Sequence, residues 1–351
     1  MIQYLIQKTL YGLSVLFGTM IIIFLLFKIM PDPSRMTMGQ RADAMSMEAL
    51  RKAEYLDEAV PVQLYYYFGD IMPIAIHSTD AAVAEKFDYK QLLPLGANRA
   101  LVVKTPYLRR SYQSRKLVTE VLMDALPTTI ILGFTAILIA SILGIVLGVI
   151  ASIRPFSWFD NSILITTVLG ISQPSYFSGV ILALVFGYLL ADYTGLSHNG
   201  GLFVLDDMGN EAFRPRNLIL PAIALGIRPV AIIVQLTRSS MLEALSQDYI
   251  RTAKSKGLSF FKVMFKHALR NALNPVVTTI SGWFAAILAG AFFIERIFDA
   301  KGLGYITVTA LMNLDFPVVM GSVLFTAAIF VTVNILVDAL YGVLDPRVRK
   351  D

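Results

Sequence analysis

The residues of this chain best suited to act on another molecule lie in one basic stretch. It reads Glu243-Ala-Leu-Ser-Gln-Asp-Tyr-Ile-Arg-Thr-Ala-Lys-Ser-Lys-Gly257 and continues to Pro275. Its chemistry is that of docking. Apolar Ala244, Leu245, Tyr249, Ile250 and Ala253 recur at roughly helical spacing before Gly257, and Phe260, Phe261, Val263, Met264, Ala268 and Leu269 do so after it. Gly257 stands where the first helix must stop, because glycine enters left-handed backbone at no steric cost. Ser259 can cap the second helix. The expected product is a helix-turn-helix bracket that is basic and apolar at once. Bond-making chemistry finds no comparable residues. No Gly-x-x-x-x-Gly-Lys-Ser/Thr phosphate cradle occurs. His77, His198 and His267 lie in separate regions without metal-ligand spacing, and no nucleophile–base pair is visible. We expect no catalytic residues and no metal.

The elements that must position the bracket are read from composition. The 351 residues are 56% hydrophobic and 16% charged, with mean hydropathy +0.64, too apolar for one soluble domain. The apolar blocks are long enough to cross a bilayer, which takes about 20 helical residues. About six such blocks occur, at 9–30, 126–152, 163–190, 218–241, 276–294 and 317–341. In lipid such runs satisfy their backbone hydrogen bonds only as helices. The fold class is therefore an all-α polytopic membrane protein, with an outer-face insertion after the first helix. Lysine and arginine in the short loops set its orientation: about twelve fall on the side of the N-terminus and the bracket, about four on the other. Both termini and the bracket are expected to face the cytoplasm. The first span, with Lys8 before its apolar run and Met30-Pro-Asp-Pro33 after it, reads as an uncleaved helix. The chain has no cysteine, so no disulfide or thiolate site. Its net charge of +5 is mostly the inner-face bias and argues for no nucleic acid.

The domain plan that follows is a first helix at 1–30, an outer-face region at 31–125, a five-helix core at 126–342 that contains the bracket at 243–274, and a cytoplasmic tail at 343–351. In the outer region Ser46 can cap a helix from Met47 to about Ala59; Val60-Pro61 should end it, and Met72-Pro73 marks a further break. Tyr65-Tyr-Tyr-Phe68 suits a membrane interface or packing against one. In the spans, Gly144-Ile-Val-Leu-Gly148 permits close helix approach. Gln173, Pro174 and, in the fourth span, Gln235 are polar or helix-disturbing positions in an apolar setting. They either line a water-filled path or tie helices together. Lys28, Arg238 and Asp338 sit near span ends, where charged tips reach water cheaply, while Arg228 is deeper and should face protein or a cavity.

The string Asp248-Tyr-Ile-Arg-Thr-Ala-Lys-Ser-Lys-Gly-Leu258 with His267-Ala-Leu-Arg-Asn-Ala-Leu273 resembles the coupling loop of ABC importer permeases of the dipeptide/oligopeptide type. Gly302-Leu-Gly304, Asp315-Phe-Pro317 and Leu344-Asp-Pro-Arg-Val-Arg349 resemble the same family. The resemblance covers residues 1–30 and 117–349 and is weakest across 31–116. It implies a permease subunit in a bacterial cytoplasmic membrane, without its own ATPase site, importing di- or oligopeptides. Its partners would be a second homologous permease, two ATP-binding subunits that hold ATP and Mg, a soluble substrate-binding protein and the lipid bilayer. Carried onto this chain, the family's coupling role falls on Gly257, which sets the bracket's angle, and Ala253, which permits close approach. Tyr249, Lys254, Lys256, Leu258 and Phe261 would contact the ATPase. An ATP-independent channel or secondary carrier is the alternative, disfavoured because no carboxylate lies near a span's midpoint. A membrane scaffold whose bracket holds some other cytoplasmic partner is a third reading.

Overall fold

The computed structural model describes residues 2–29, 55, 57–96, 98–199, 201–205 and 211–344. In chain order the helices are α1 (Ile2–Ile29), α2 (Val60–Ile71), α3 (Ala81–Phe87), α4 (Val118–Ile153), α5 (Trp158–Ser172), α6 (Ser175–Leu184), α7 (Ile219–Ser246), α8 (Asp248–Ser255), α9 (Arg270–Gly290), α10 (Phe292–Ile297), α11 (Leu303–Met312) and α12 (Phe316–Leu344). Among the described residues five short strands accompany them: β1 (Ile74–Ser78), β2 (Lys90–Pro94), β3 (Arg99–Val103), β4 (Phe203–Leu205) and β5 (Glu211–Phe213). Helices dominate, as the unbroken apolar runs require. The strands were not foreseen.

Within α1, α4, α7 and α12 lie four stretches long and apolar enough to cross a membrane, and α5 with the helix that follows it would make a fifth if counted as one. That pair corrects the continuous span expected at 163–190. Its two halves, Trp158–Ser172 and Ser175–Leu189, meet at 104°. Proline drives the residue before it out of helical backbone, and Gln173 accordingly takes φ −90°, ψ 140° ahead of Pro174. The block expected at 276–294 forms α9, where Asn271, Asn274, Thr278, Thr279 and Ser281 dilute the apolar surface. Arg228 is exposed on α7.

The chain packs as two units. The first comprises Met1–Leu10, Ala125–Tyr305 and Ala328–Asp351. Its core joins Leu132 and Ala136 of α4, Ala222 and Leu225 of α7, Ile287 of α9 and Ile294 of α10. Close approach of α4 to α7 depends on the glycine pair four apart: a Cβ on Gly144 would stand 2.5 Å from Ile233 Cγ2, and one on Gly148 2.5 Å from Thr237 Cβ. Lys8 pairs with Asp338 at 3.0 Å. A buried carboxylate closes the far end of this core. Glu295 Oε1 accepts a hydrogen bond from Thr129 Oγ1 at 2.7 Å, and its Oε2 accepts the N–H of Tyr305 at 3.0 Å. Thr129 Oγ1 in turn accepts the N–H of Leu303 at 2.8 Å. Gly302 makes room for this arrangement, since a Cβ there would stand 2.5 Å from Glu295 Oε2, while one on Gly304 would collide with the backbone Cα of Phe292.

The second unit comprises Tyr11–Asp124 and Ile306–Ala327. Met20, Ile23 and Phe24 of α1 pack with Tyr67 of α2 and Leu324 of α12, and Phe17 stacks on Phe68 at 5.0 Å. The aromatic run 65–68 thus divides: Tyr67 is buried, while Tyr65 is 63% exposed. The expected helix over 47–59 lies almost wholly outside the described residues. Val60-Pro61, read as the end of that helix, opens α2 behind the N-cap residue Ala59, because proline's fixed φ suits a first helical turn. The break at Met72-Pro73 is as expected, with α2 ending at Ile71. β1, β3 and β2 form an antiparallel sheet in that order. Asp315, before α12, accepts from Ser111 Oγ at 2.5 Å and from the N–H of Tyr112 at 3.0 Å. Beside the sheet, buried Lys104 donates to the carbonyl of Asp70, its Nζ 4.4 Å from the Phe87 ring centre.

Two outcomes follow from this packing. Burial pulls the Lys104 pKa down from 10.5 to about 8, with Asp70 opposing. The unfolded chain then holds this proton more tightly than the folded one, so the second unit gains stability as pH rises from about 8 toward 10.5. The 13Cε resonance of Lys104, assigned with Lys104→Arg, should titrate near pH 8; a midpoint near 10.5 would contradict the burial described. Gly304→Ala should destabilise the protein by about 1–3 kcal/mol, the usual cost of overpacking, read as a lower Tm in detergent. An unchanged Tm would mean that the close approach of Gly304 to the Phe292 backbone has slack.

Candidate functional site

The bracket is built as an extension of a span. α7 runs without interruption from its apolar stretch to Ser246, and Gln247 alone separates it from α8. The turn after α8 closes by two backbone bonds: Gly257 N–H to the Lys254 carbonyl at 2.9 Å, and Leu258 N–H to the Ala253 carbonyl at 3.3 Å. This is the Schellman pattern, which requires left-handed backbone at the residue after the helix cap. Gly257 supplies it with φ +75°. A Cβ there would meet nothing within 4 Å, so dihedral angle and not space selects glycine.

Beyond the turn the chain becomes helical again, with Ser259 O accepting from Val263 N–H at 3.0 Å. From Lys262 to Leu269 it winds as a π-helix before tightening into α9. The two arms and the span they extend share one apolar core. Ile250 and Ala253 meet Val263, Met264 and Ala268, and these join Val149 of α4, Met241 and Ala244 of α7 and Ala272 of α9. Full burial of Ile250 alone is worth about 1.5–3 kcal/mol, so the bracket is held as a packed body on the ends of α4 and α7.

The outer surface of that body is aromatic and basic. Phe261 is 71% exposed and stacks with Phe265 at 6.4 Å; Phe260 meets Phe261 edge-on at 5.9 Å. Tyr249 is 39% exposed, and Lys254 and Lys256 are exposed. Leu258 is half-buried against the core that contains Ala253. The seven bracket residues singled out from the sequence therefore divide into a turn (Gly257), inward residues (Ala253, Leu258) and outward ones (Tyr249, Lys254, Lys256, Phe261). Phe260 and Phe265 belong with the last group and were missed, because periodicity placed Phe260 on the apolar face and passed over Phe265. Such a cluster of exposed aromatics rimmed by charge is the composition of a protein-binding surface. His267 is half-buried, and its carbonyl accepts from Asn271 Nδ2 at 3.2 Å. Among the described residues no group of His, Asp and Glu is placed to hold a metal.

The positions singled out within the spans separate. Gln173 and Pro174 form the break between α5 and α6. Gln235 Nε2 donates to Thr167 Oγ1 at 3.3 Å and so ties α7 to α5. Arg238, expected to reach toward head groups from a span end, instead grips a buried carboxylate. Its Nε lies 2.5 Å from Asp160 Oδ1 and its Nη2 2.6 Å from Asp160 Oδ2. Asp160 was unremarked in the sequence because its partner lies 78 residues away.

The chain matches two family descriptions: binding-protein-dependent transport system inner membrane component over residues 144–350, and the N-terminal part of such membrane components over residues 1–133. It is 43% identical over 232 residues to the dipeptide transport system permease protein DppB of Bacillus subtilis, covering 66% of this chain and 71% of that one. It is 33% identical over 348 residues to a putative peptide transport system permease protein of Brucella abortus, covering 99% of each. The di/tripeptide transport system permease protein DppB of Pseudomonas aeruginosa is 34% identical over 349 residues, covering 95% of this chain and 94% of that one. With a packed bracket on the end of an apolar helical bundle and these matches along its length, the chain belongs to the family of binding-protein-dependent transport system inner membrane components.

Proposed function

We propose that this chain is the permease subunit of an ATP-driven importer of di- or oligopeptides in a bacterial cytoplasmic membrane. The peptide substrate class is carried over from the relatives, which are named for peptide, dipeptide or di/tripeptide transport. The observation that carries the coupling role is the bracket: a packed body on the ends of α4 and α7, turned at Gly257 and faced with Phe260, Phe261, Phe265, Tyr249 and two lysines. Such a surface fits a groove on a separate ATP-hydrolysing subunit. ATP and Mg are bound there, and closure of two such subunits displaces the bracket as a unit. A second homologous permease completes the translocation path, to which this chain contributes Gln173, Pro174 and Gln235. A soluble binding protein delivers substrate to the outer face, formed by 31–125. Both termini and 243–274 lie in the cytoplasm.

Orientation is tested with single cysteines, since the chain has none of its own. In intact cells stripped of their outer barrier, an impermeant thiol reagent should modify Thr79→Cys and spare Ser255→Cys; the reverse pattern would invert the topology. Coupling is tested at the turn. Gly257→Val forces a branched residue into positive φ at a cost of about 1–3 kcal/mol. That is enough to strain the docking surface and small beside the packing of the spans. The variant should reach the membrane at parental abundance, copurify with much less ATPase and lose uptake of labelled dipeptide. Parental uptake with the ATPase still bound would remove the coupling role from this turn, and a parent chain that brings down no ATPase at all would favour an ATP-independent carrier.

A further inference from the structure

The Asp160–Arg238 pair has a position that the docking surface does not account for. Asp160 has no exposed side-chain surface and Arg238 only 16%. Both carboxylate oxygens are engaged, Oδ2 also accepting the N–H of Phe156 at 2.8 Å, while the Arg238 guanidinium lies 5.9 Å from the Phe156 ring centre. Asp160 sits in the first turn of α5, capped by Ser157. Arg238 lies three residues before Met241, one turn along the same helix, and Met241 is fully buried in the bracket core. A second tie, Gln235 to Thr167, joins the same two helices further along. α5 then ends at the Gln173-Pro174 break, where the chain bends by 104°. A bidentate arginine–carboxylate pair is directional and resists sliding in a way that apolar contact does not.

We propose that Asp160 and Arg238 form a strut that carries displacement of the bracket, through α7, to α5 and so to the Gln173-Pro174 break. The proposal rests on the coupling role given to the bracket. Arg238 and Asp160 are positioning residues in it and need touch no substrate. Tilting α7 from its bracket end pulls α5 by its first turn, and the bent span pivots where its backbone hydrogen bonding is already interrupted. If the pair served only to hold the fold together, the response of the break to nucleotide would not depend on it.

The test uses the complete importer in liposomes, with Ser172→Cys, exposed beside the break, as a reporter whose modification rate by a small methanethiosulfonate is followed with and without a non-hydrolysed ATP analogue. In the parent the analogue should change that rate by about tenfold, within the usual range for coupled sites. Both charges are then removed together by Asp160→Leu/Arg238→Met, which avoids leaving one buried charge unpaired. The strut predicts that this variant keeps its ATPase and its ATP turnover while the reporter's response falls below twofold. Asp160→Glu/Arg238→Lys, which keeps both charges, should retain a clear response. A full response in the leucine/methionine variant, or none in the parent with ATPase bound, overturns the proposal and leaves the bracket's docking role standing. Failure of both double variants to accumulate would make the pair a folding element and equally overturn it. A parent that binds no ATPase refutes instead the reading on which the strut rests.

Discussion

A carboxylate taken out of water must be given donors at once, and this chain meets that demand with partners remote in sequence. Glu295 is held by Thr129, Asp315 by Ser111 and Tyr112, and Asp160 by Arg238. Each leaves a costly unpaired group if its partner moves away. Apolar helices in lipid slide past one another at little cost, because one hydrocarbon surface is much like the next. The polar ties remove that freedom at three places and so determine which helix faces which. The small-residue contacts of Gly144 and Gly148 then fix how closely α4 and α7 approach.

Much of this was legible from residue order alone, and the reasons differ by level. Long apolar runs have one structural solution in lipid, so the helices were readable without a partner. Gly257 was readable because a helical pattern on both sides of a single glycine leaves few other backbone choices, and the left-handed turn is there. The bracket's inward and outward residues followed largely from periodicity. What escaped was whatever depends on a distant partner. Asp160 and Glu295 look like ordinary loop or helix-end acids until Arg238 and Thr129 are brought beside them. The bend at Gln173-Pro174 was half visible: proline announced a disturbance, but whether the span kinks or folds sharply back depends on its neighbours. The strands between Ile74 and Val103 carried too weak an alternation to announce themselves, with β2 exposed along its whole length.

The bracket and the broken span are two ends of one mechanical arrangement. α7 belongs to both: its C-terminal end is part of the bracket core, and two polar ties join it to α5. A surface that receives a partner is useful only if its movement is felt elsewhere, and a helix continuous across the membrane boundary is a stiff means of conveying it. The sharp bend gives that movement somewhere to act, because backbone already out of helical hydrogen bonding can change its angle without breaking further bonds.

The π-helical arm from Lys262 to Leu269 bears on how chain length can vary. A π-helix closes each hydrogen-bonded ring with one residue more than an α-helix. Loss of a single residue from this arm can therefore be absorbed by tightening it into α-helix, with the flanking faces kept in place. The same deletion inside α7 would turn every later side chain by about 100° around the helix axis, carrying Met241 and Ala244 out of the bracket core. Single-residue deletions within the bracket should thus gather in 262–269 and be absent between Arg238 and Ser246.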